Sequence, residues 1–529
     1  MLFCTWTATA QNENTTVSLY TDRDIYASGE TVLCKLFLPS DEVSGIVHVA
    51  LFNMGGVRIS TIHLLVGGSQ ADGYISLPDS LSSGSYLLRA SVRKAGMFTC
   101  KEIYISNRFA SATTPGSRLH TALTTQPSGI LMPSLRMEGL KNQYNSREEG
   151  HVRILFPEDL ISQMEGNICI SIADRSLEYR APTFQLKVNS TEEHLVEKGG
   201  MILEGFVTDI ATNMPCGNAT IFLTIPDSIP YFKFYKTGAD GRFYFQLERF
   251  YGKKLVVVQC SNQDDNRSLK ISLNDPEGEN IELPPFEYRD IPPAIKNGIE
   301  KNRDAVTFRK LFGQPEIDIQ QIPFPNTVQY PFYGLPTETV DPKLFIDLPN
   351  FSEISRELLS GVRFRNFGRI PSIQVINLPV HTYFNENALV LLDGVPIHDL
   401  NLIANLGTKE IDKIEFGLSE RFFGTICFKG FLAIHTSKID YSRIPASDDL
   451  VKLSMDGIQS KPMLAELSYQ SANDPDFRQL LVWKPSVTPA QEIGLDFRTS
   501  DIQGDFRIIV RGKRKDGSIV FSEQQFEVK

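Results

Sequence analysis

Short apolar runs separated by turn residues dominate the chain. Val17 and Leu19 alternate with polar neighbours, Asp22 and Gly29 interrupt, and Val32, Cys34, Leu36 and Leu38 resume the alternation. A period of two marks strands with one buried face. The same rhythm returns in Ile168-Cys169-Ile170-Ser171-Ile172, in MILEGFVTDI from Met201, in KTGADGRFYFQL from Lys236, and from Phe506 to Val510. Turn signals of this frequency predict sandwich domains. Two stretches instead carry a helical pattern: KNGIEKNRDAVTFRKLF from Lys296, and FSEISRELLSGVRFR from Phe351, with Ile354, Leu358 and Leu359 on one face. The expected fold class is mainly β: tandem immunoglobulin-like or prealbumin-like β-sandwiches plus a small α+β unit.

Composition sets the scale. The chain has 529 residues, 41% hydrophobic and 22% charged, with a net charge of -10. At roughly 100–150 residues per domain this allows about four to five domains. The acidic balance, with no Lys/Arg run, argues against nucleic acid and against an anionic lipid surface as partners. No apolar run is long enough for a transmembrane helix. Met1 to Ala8 is mostly apolar, and Ala8-Thr9-Ala10 precedes Gln11, so residues 1–11 read as a signal-peptide remnant of an exported protein. Cys4 invites a lipid anchor, but Phe3 stands where such a site wants a small residue.

Punctuation divides the rest. Residues 12–108 form a first β domain, and a Ser/Thr/Pro/Gly-rich linker follows at 109–130. Residues 131–197 form a second β domain, 198–272 a third, and 273–345 a Pro-rich connector with one helix lying along a surface. The α+β unit spans 346–438, and 439–529 reads as a C-terminal β-sandwich, with Leu480-Leu481-Val482-Trp483-Lys484-Pro485 and a strand from Phe506 to Val510.

Three segments resemble known families. Thr21-Asp22-Arg23-Asp24-Ile25-Tyr26, then Ser28-Gly29-Glu30, Leu77-Pro78 and Gly84-x-Tyr86, resemble the macroglobulin-type domain of the alpha-2-macroglobulin family. The resemblance implies structural acidic residues in an edge strand and turn. None of the seven cysteines lies in the Gly-Cys-Gly-Glu-Gln sequence of that family's thioester, so covalent trapping of proteases is not implied. The second domain resembles a further macroglobulin-type or immunoglobulin-like module. Gly205, Val207, Asp209, Pro215, Ala219, Thr237, Asp240, Gly241 and Phe243 resemble the carboxypeptidase regulatory-like domain, a sandwich that does no chemistry itself.

Leu391-Leu392-Asp393-Gly394-Val395-Pro396-Ile397, Ile411-x-Lys413-Ile414-Glu415, Phe423-Gly424, and Gly430 before Ala433-Ile434-x-Thr436 resemble the plug domain of TonB-dependent outer-membrane receptors. In those receptors a barrel of roughly 22 strands follows the plug. Residues 439–529 are far too few for one, so the plug is expected without its barrel, and no terminal segment resembles a TonB box.

Searches for chemistry return little. The eight histidines form no H-E-x-x-H, and no G-x-S-x-G elbow, P-loop or EF-hand loop is present. His194-x-x-Glu197 has a zinc-like spacing, but such a pair arises by chance in this composition. Asn274 to Glu279 concentrates oxygen ligands and reads as a solvated acidic turn rather than a calcium loop. Asp393 beside Gly394 reads as a turn. Cys34 and Cys100 could pair after export, or remain buried thiols. Phe324, Tyr330, Phe332 and Tyr333 either dock a partner or fold back on a neighbouring domain. No catalytic residue, metal or cofactor is expected. The expected role is a scaffold or accessory subunit of an outer-membrane protein complex, docking on an outer-membrane β-barrel or envelope complex. The alternative is a periplasmic or surface solute- or glycan-binding protein linked to TonB-dependent uptake.

Overall fold

The computed structural model describes residues 17–39, 45–93, 97–110, 118–121, 130–132, 135–179, 183–187, 195–261, 268–275, 287–319, 330–365, 371–465 and 474–529. The leader-like residues 1–11 and Cys4, and also His194, Phe324 and Pro276 to Glu279, lie outside them.

The chain is mainly β, in packed sheets with a few helices, one of them 19 residues long. In the first sandwich, Ser18–Thr21, Thr31–Phe37 and Gln70–Ser76 form one sheet. Ile46–Asn53, Arg58–Leu65, Gly84–Ser91 and Met97–Ser106 form the facing one. Val32, Cys34 and Leu36 point at Val47, Val49 and Leu51, so the alternation read from the sequence becomes the core. Thr183–Lys187, expected in the second domain, instead pairs with Met97–Ser106 and belongs to the first.

The second domain and the C-terminal sandwich, expected as two units, are one. Met164–Asp174 pairs on one side with Leu480–Val487 and on the other with Gly504–Arg514. Glu149–Leu155 pairs with Glu492–Arg498. Ile170 and Ile172 from one segment share a core with Ile508, Val510 and Phe526 from the other. Neither segment has enough strands to cover its own apolar face, and the pairing supplies them.

Everything between is inserted in that second sandwich. Ile202–Asp209, Arg242–Gln246 and Leu269–Leu273 face Thr220–Ile225, Tyr231–Lys236 and Lys253–Cys260 in a third sandwich. Leu450–Asp456, expected in the C-terminal unit, extends this sheet beside Lys253–Cys260.

The expected surface connector is mostly exposed along its described residues, but one face of its helix is internal. Its helix runs Pro293–Leu311, opened by Pro293 near the N-terminus, where a missing N–H costs nothing. Ile299 joins Ile25 and Tyr104 of the first sandwich, and Ala305 joins the core of the second. Asn302 is fully buried. The helix is a wedge between two domains.

Candidate docking site on the α+β unit

The α+β unit is built on a five-stranded sheet in the order Glu338–Val340, Ile411–Gly417, Phe431–Thr436, Leu389–Leu392, Val395–Pro396. Leu389–Leu392 and Phe431–Thr436 run parallel. The remainder pair antiparallel. The helix Phe351–Leu358 begins at Asn350, whose side chain accepts the Glu353 N–H. Ile354 and Leu359 seal one face of the sheet together with Val390, Leu392, Leu432 and Ile434.

The run Ala388 to Leu392 is apolar at every position because both of its faces are buried. Leu389 and Leu391, with Phe431 and Ala433, turn to the opposite side and meet Phe222 and Phe232 of the third sandwich. Phe332 stacks on Phe232, with centroids 3.9 Å apart. Tyr333 lies 4.5 Å from the Phe431 ring centroid. Of the aromatic cluster noted in the sequence, Phe332 and Tyr333 therefore fold back onto a neighbouring domain, while Tyr330 stays exposed. Gln259 Nε2 donates to the Pro396 carbonyl, and His398 Nε2 meets the Cys260 carbonyl at 3.1 Å.

The motif residues gather in this sheet. Leu391 pairs with Pro396 and Leu392 with Val395, closing the turn Asp393-Gly394. Both turn residues have positive φ, 49° and 85°. This two-residue geometry favours Asp-Gly. Asp393 also reaches across the sheet: Oδ1 accepts the Thr436 N–H and Oδ2 the Thr436 hydroxyl, each at 2.7 Å. Ile397 sits in the core, its N–H bonded to the Val390 carbonyl. Ile414 pairs with Ile434, and Lys413 lies opposite His435.

Glu415 accepts from Lys413 Nζ at 3.0 Å and lies 3.2 Å from His435 Nε2. Burial pushes its carboxyl up, but Lys413 and His435 outweigh that and hold it below the usual range. Gly430 has φ 79°, and a Cβ there would stand 2.2 Å from the Val375 side chain. Gly424 lies apart, in the hairpin of Arg421–Phe423 and Ile426–Phe428, against Phe234 of the third sandwich.

The macroglobulin-like acidic segment is structural. Asp22 accepts from the Tyr26 hydroxyl and the Leu33 N–H. Arg23 reaches Glu30 at 3.1 Å and Glu316 at 3.3 Å. Arg309 of the wedge helix reaches the same two carboxylates at 3.6 and 3.2 Å. Burial pushes the Asp22 and Glu316 carboxyls up, whereas for Glu30 the two arginines overcome burial and lower it.

Other sequence candidates resolve simply. Glu197, half of the zinc-like spacing, meets His48 Nε2 at 2.6 Å. Asp275 is ion-paired with Arg58. Cys34 and Cys100 are separate buried thiols on facing sheets. Among the described residues, no three His, Cys, Asp or Glu side chains converge to hold a metal, and no helix is long and apolar enough to cross a membrane.

One feature of this unit was missed from the sequence. Leu344, Phe345 and Ile346 are 79%, 55% and 71% exposed in succession. They lie between the ion pairs Lys343–Asp412 and Lys409–Asp347. Three adjacent apolar residues were the available signal, hidden by their place at the seam between the expected connector and the expected unit.

No family model matches the chain, and no curated protein matches it. Among solved structures it is similar to the native conformation of Escherichia coli alpha-2-macroglobulin, at 9% identity over 99% of this chain and 40% of that one, with a TM-score of 0.25. It is also similar to Salmonella alpha-2-macroglobulin reacted with methylamine, at 8% identity over 97% of this chain and 39% of that one, with a TM-score of 0.23. A tetra-tandem repeat from the extending region of a large adhesion protein is similar at 9% identity over 97% of this chain and 98% of that one, with a TM-score of 0.14. The chain spans about two fifths of the macroglobulin structures' length.

Proposed function

We propose that this chain is a non-enzymatic scaffold or accessory subunit of an outer-membrane protein complex, and that its plug-like α+β unit docks on a β-barrel or other envelope protein. The observation that carries the reading is the strip Leu344-Phe345-Ile346. Consecutive exposed apolar side chains cost solvation unless something covers them, and a rim of charged pairs around an apolar centre is the anatomy of a protein interface. The unit behind the strip is anchored face to face on the third sandwich. Exported location belongs to the same reading.

The test is affinity purification of the chain from detergent-solubilised outer membranes, with Leu344→Asp/Ile346→Asp as the comparison. A barrel or envelope partner retained by the parent chain and lost from the variant is expected. Recovery of the parent chain alone, in the soluble fraction, sinks the reading.

A second reading, solute or glycan binding, has one observation in its favour. Tyr244, 44% exposed, stands 4.9 Å from the half-buried Tyr235 on the third sandwich, the two rings tilted by 53°. Saturable binding in a glycan screen, abolished by Tyr244→Ala and needing no protein partner, would favour it.

A further inference from the structure

Lys35 sits where a strand of the first sandwich meets the second. Its neighbours Cys34 and Leu36 point into the first core, so Lys35 points the other way, into the seam between the two sandwiches. Leu33, on the same face, packs there on Cys169 and Trp483. The Lys35 side chain is fully buried, and its polar partners among the described residues are neutral. Gln70 Oε1 accepts from Nζ at 2.9 Å, and the Ser486 hydroxyl lies at 3.5 Å. A buried ammonium ordinarily needs a carboxylate in contact.

Gln70 is itself only 6% exposed and is held in one orientation. Its Nε2 donates to the Glu165 carbonyl at 3.0 Å and to the Asn167 carbonyl at 2.8 Å. These two bonds identify the nitrogen, so the atom facing Lys35 is the oxygen. Asp72 stands directly opposite Lys35 in the ladder of Thr31–Phe37 and Gln70–Ser76. It accepts the Ser486 hydroxyl at 3.1 Å. Amine, hydroxyl and carboxylate therefore form a row from Nζ through Ser486 to Asp72. Burial pushes the Lys35 amine below its usual value, and Asp72 offsets this only in part, which favours the neutral, nucleophilic form.

We propose that Lys35 and Gln70 join in an intramolecular amide cross-link, formed by attack of Nζ on the side-chain carbonyl carbon of Gln70 with loss of ammonia. The hydrogen bond already places Nζ within roughly 4 Å of that carbon, because the C=O bond adds at most about 1.2 Å to the 2.9 Å contact. Rotation of the lysine stem closes the remainder. Well-oriented groups within one molecule react with effective molarities of about 10⁵–10⁸ M, and both partners here are fixed by packing. The Nζ–Cδ bond forms and the Cδ–Nε2 bond breaks. The proton that Nζ sheds passes by way of Ser486 and Asp72 and ends on Nε2, which leaves as ammonia, so no oxidant or further reactant enters. The product ties two neighbouring strands together at the seam.

The test is intact-mass measurement of the full, natively purified chain, followed by tryptic mapping with tandem mass spectrometry. A mass lower by one ammonia is expected. So is a linked species in which residues 24–58, uncut at Lys35, are joined to residues 59–89. Lys35→Arg should restore the full mass and separate the two peptides, and Asp72→Asn should lower the linked fraction in freshly made protein. The map of the parent chain decides the matter if a variant misfolds. Cleavage at Lys35, with Gln70 recovered intact on an unlinked peptide, overturns the proposal and leaves a buried amine hydrogen-bonded to an amide. A missing ammonia that maps to any residue other than Gln70 overturns it equally.

Discussion

Asp393 grips Thr436 with both carboxylate oxygens, one on its backbone N–H and one on its hydroxyl, each at 2.7 Å. The contact ties the turn after Leu389–Leu392 to the end of the parallel strand beside it. Asp393→Ala should cost about 1–3 kcal/mol, because a buried N–H loses its acceptor and alanine dislikes positive φ. Asp393→Asn, which keeps one acceptor and tolerates this φ, should lose less. Hydrogen exchange at Thr436 reads the difference directly; protection unchanged in Asp393→Ala would show the contact to be idle.

Arg309 shares with Arg23 the neutralisation of two carboxylates buried together, Glu30 and Glu316. Arg309→Leu should therefore destabilise by about 3–5 kcal/mol at neutral pH. The pH dependence has a definite sign. Without Arg309 only Arg23 offsets the burial of the two carboxyls, so both shift upward from their values in the folded parent, Glu316 from a value already raised; the folded variant binds more protons than the folded parent, and its deficit shrinks as pH falls into the carboxylate range. In the parent chain, Glu30 is lowered and its contribution runs the other way, present above the unfolded carboxylate value and lost on acidification. Melting temperatures of both chains at pH 7 and pH 5 should converge; curves that stay parallel rule this account out.

The shared second sandwich makes a truncation informative. A chain ending before Asp474 lacks Leu480–Val487 and Gly504–Arg514, the two neighbours of Met164–Asp174. Exchange protection in Met164–Asp174 should collapse, while Thr220–Ile225 of the third sandwich keeps its protection. Independent domains would leave both segments protected.

Thiol accessibility provides a fourth measurement. Of the six described cysteines, only Cys427 is not fully buried. Burial pushes Cys100 and Cys169 up to about 12. It lifts Cys34 still further. Since the thiolate is the reactive form, a maleimide should mark Cys427 in the native chain and the others only in denaturant. Mass spectrometry of the labelled peptides reads the order; early labelling of Cys34 or Cys100 would contradict the packing.

Local patterns were legible and long-range ones were not. The run Ala388 to Leu392, its Asp-Gly turn and the strands around Gly430 lie where periodicity and turn chemistry placed them, and the helix from Phe351 begins there but stops at Leu358, its expected last turn, Val362–Arg365, forming a strand after Gly361. Those signals act within a few residues. The union of residues 131–197 with 439–529 left no such trace, because a strand's sequence records that one face is apolar and not which strand will cover it. The wedge helix was expected along a surface because it lies in a long Pro-rich stretch with little regular structure, yet Asn302 is buried on Glu30. Charge clusters such as Arg23, Glu30, Arg309 and Glu316, and the pair Lys35 and Gln70, are assembled by register and packing across the chain. Only the role of Asp393 was half visible: the turn could be read, and the grip on Thr436 could not.

The nesting of the third sandwich and the α+β unit inside the second sandwich orders events in time. Met164–Asp174 is synthesised long before Leu480–Val487 and Gly504–Arg514, so its edges stay open while everything in between is made. The inserted units can complete themselves during elongation, whereas the outer sandwich closes last, around finished neighbours. A nascent chain of this design carries an uncovered strand for most of its production, and that interval is when a chaperone has the most to protect.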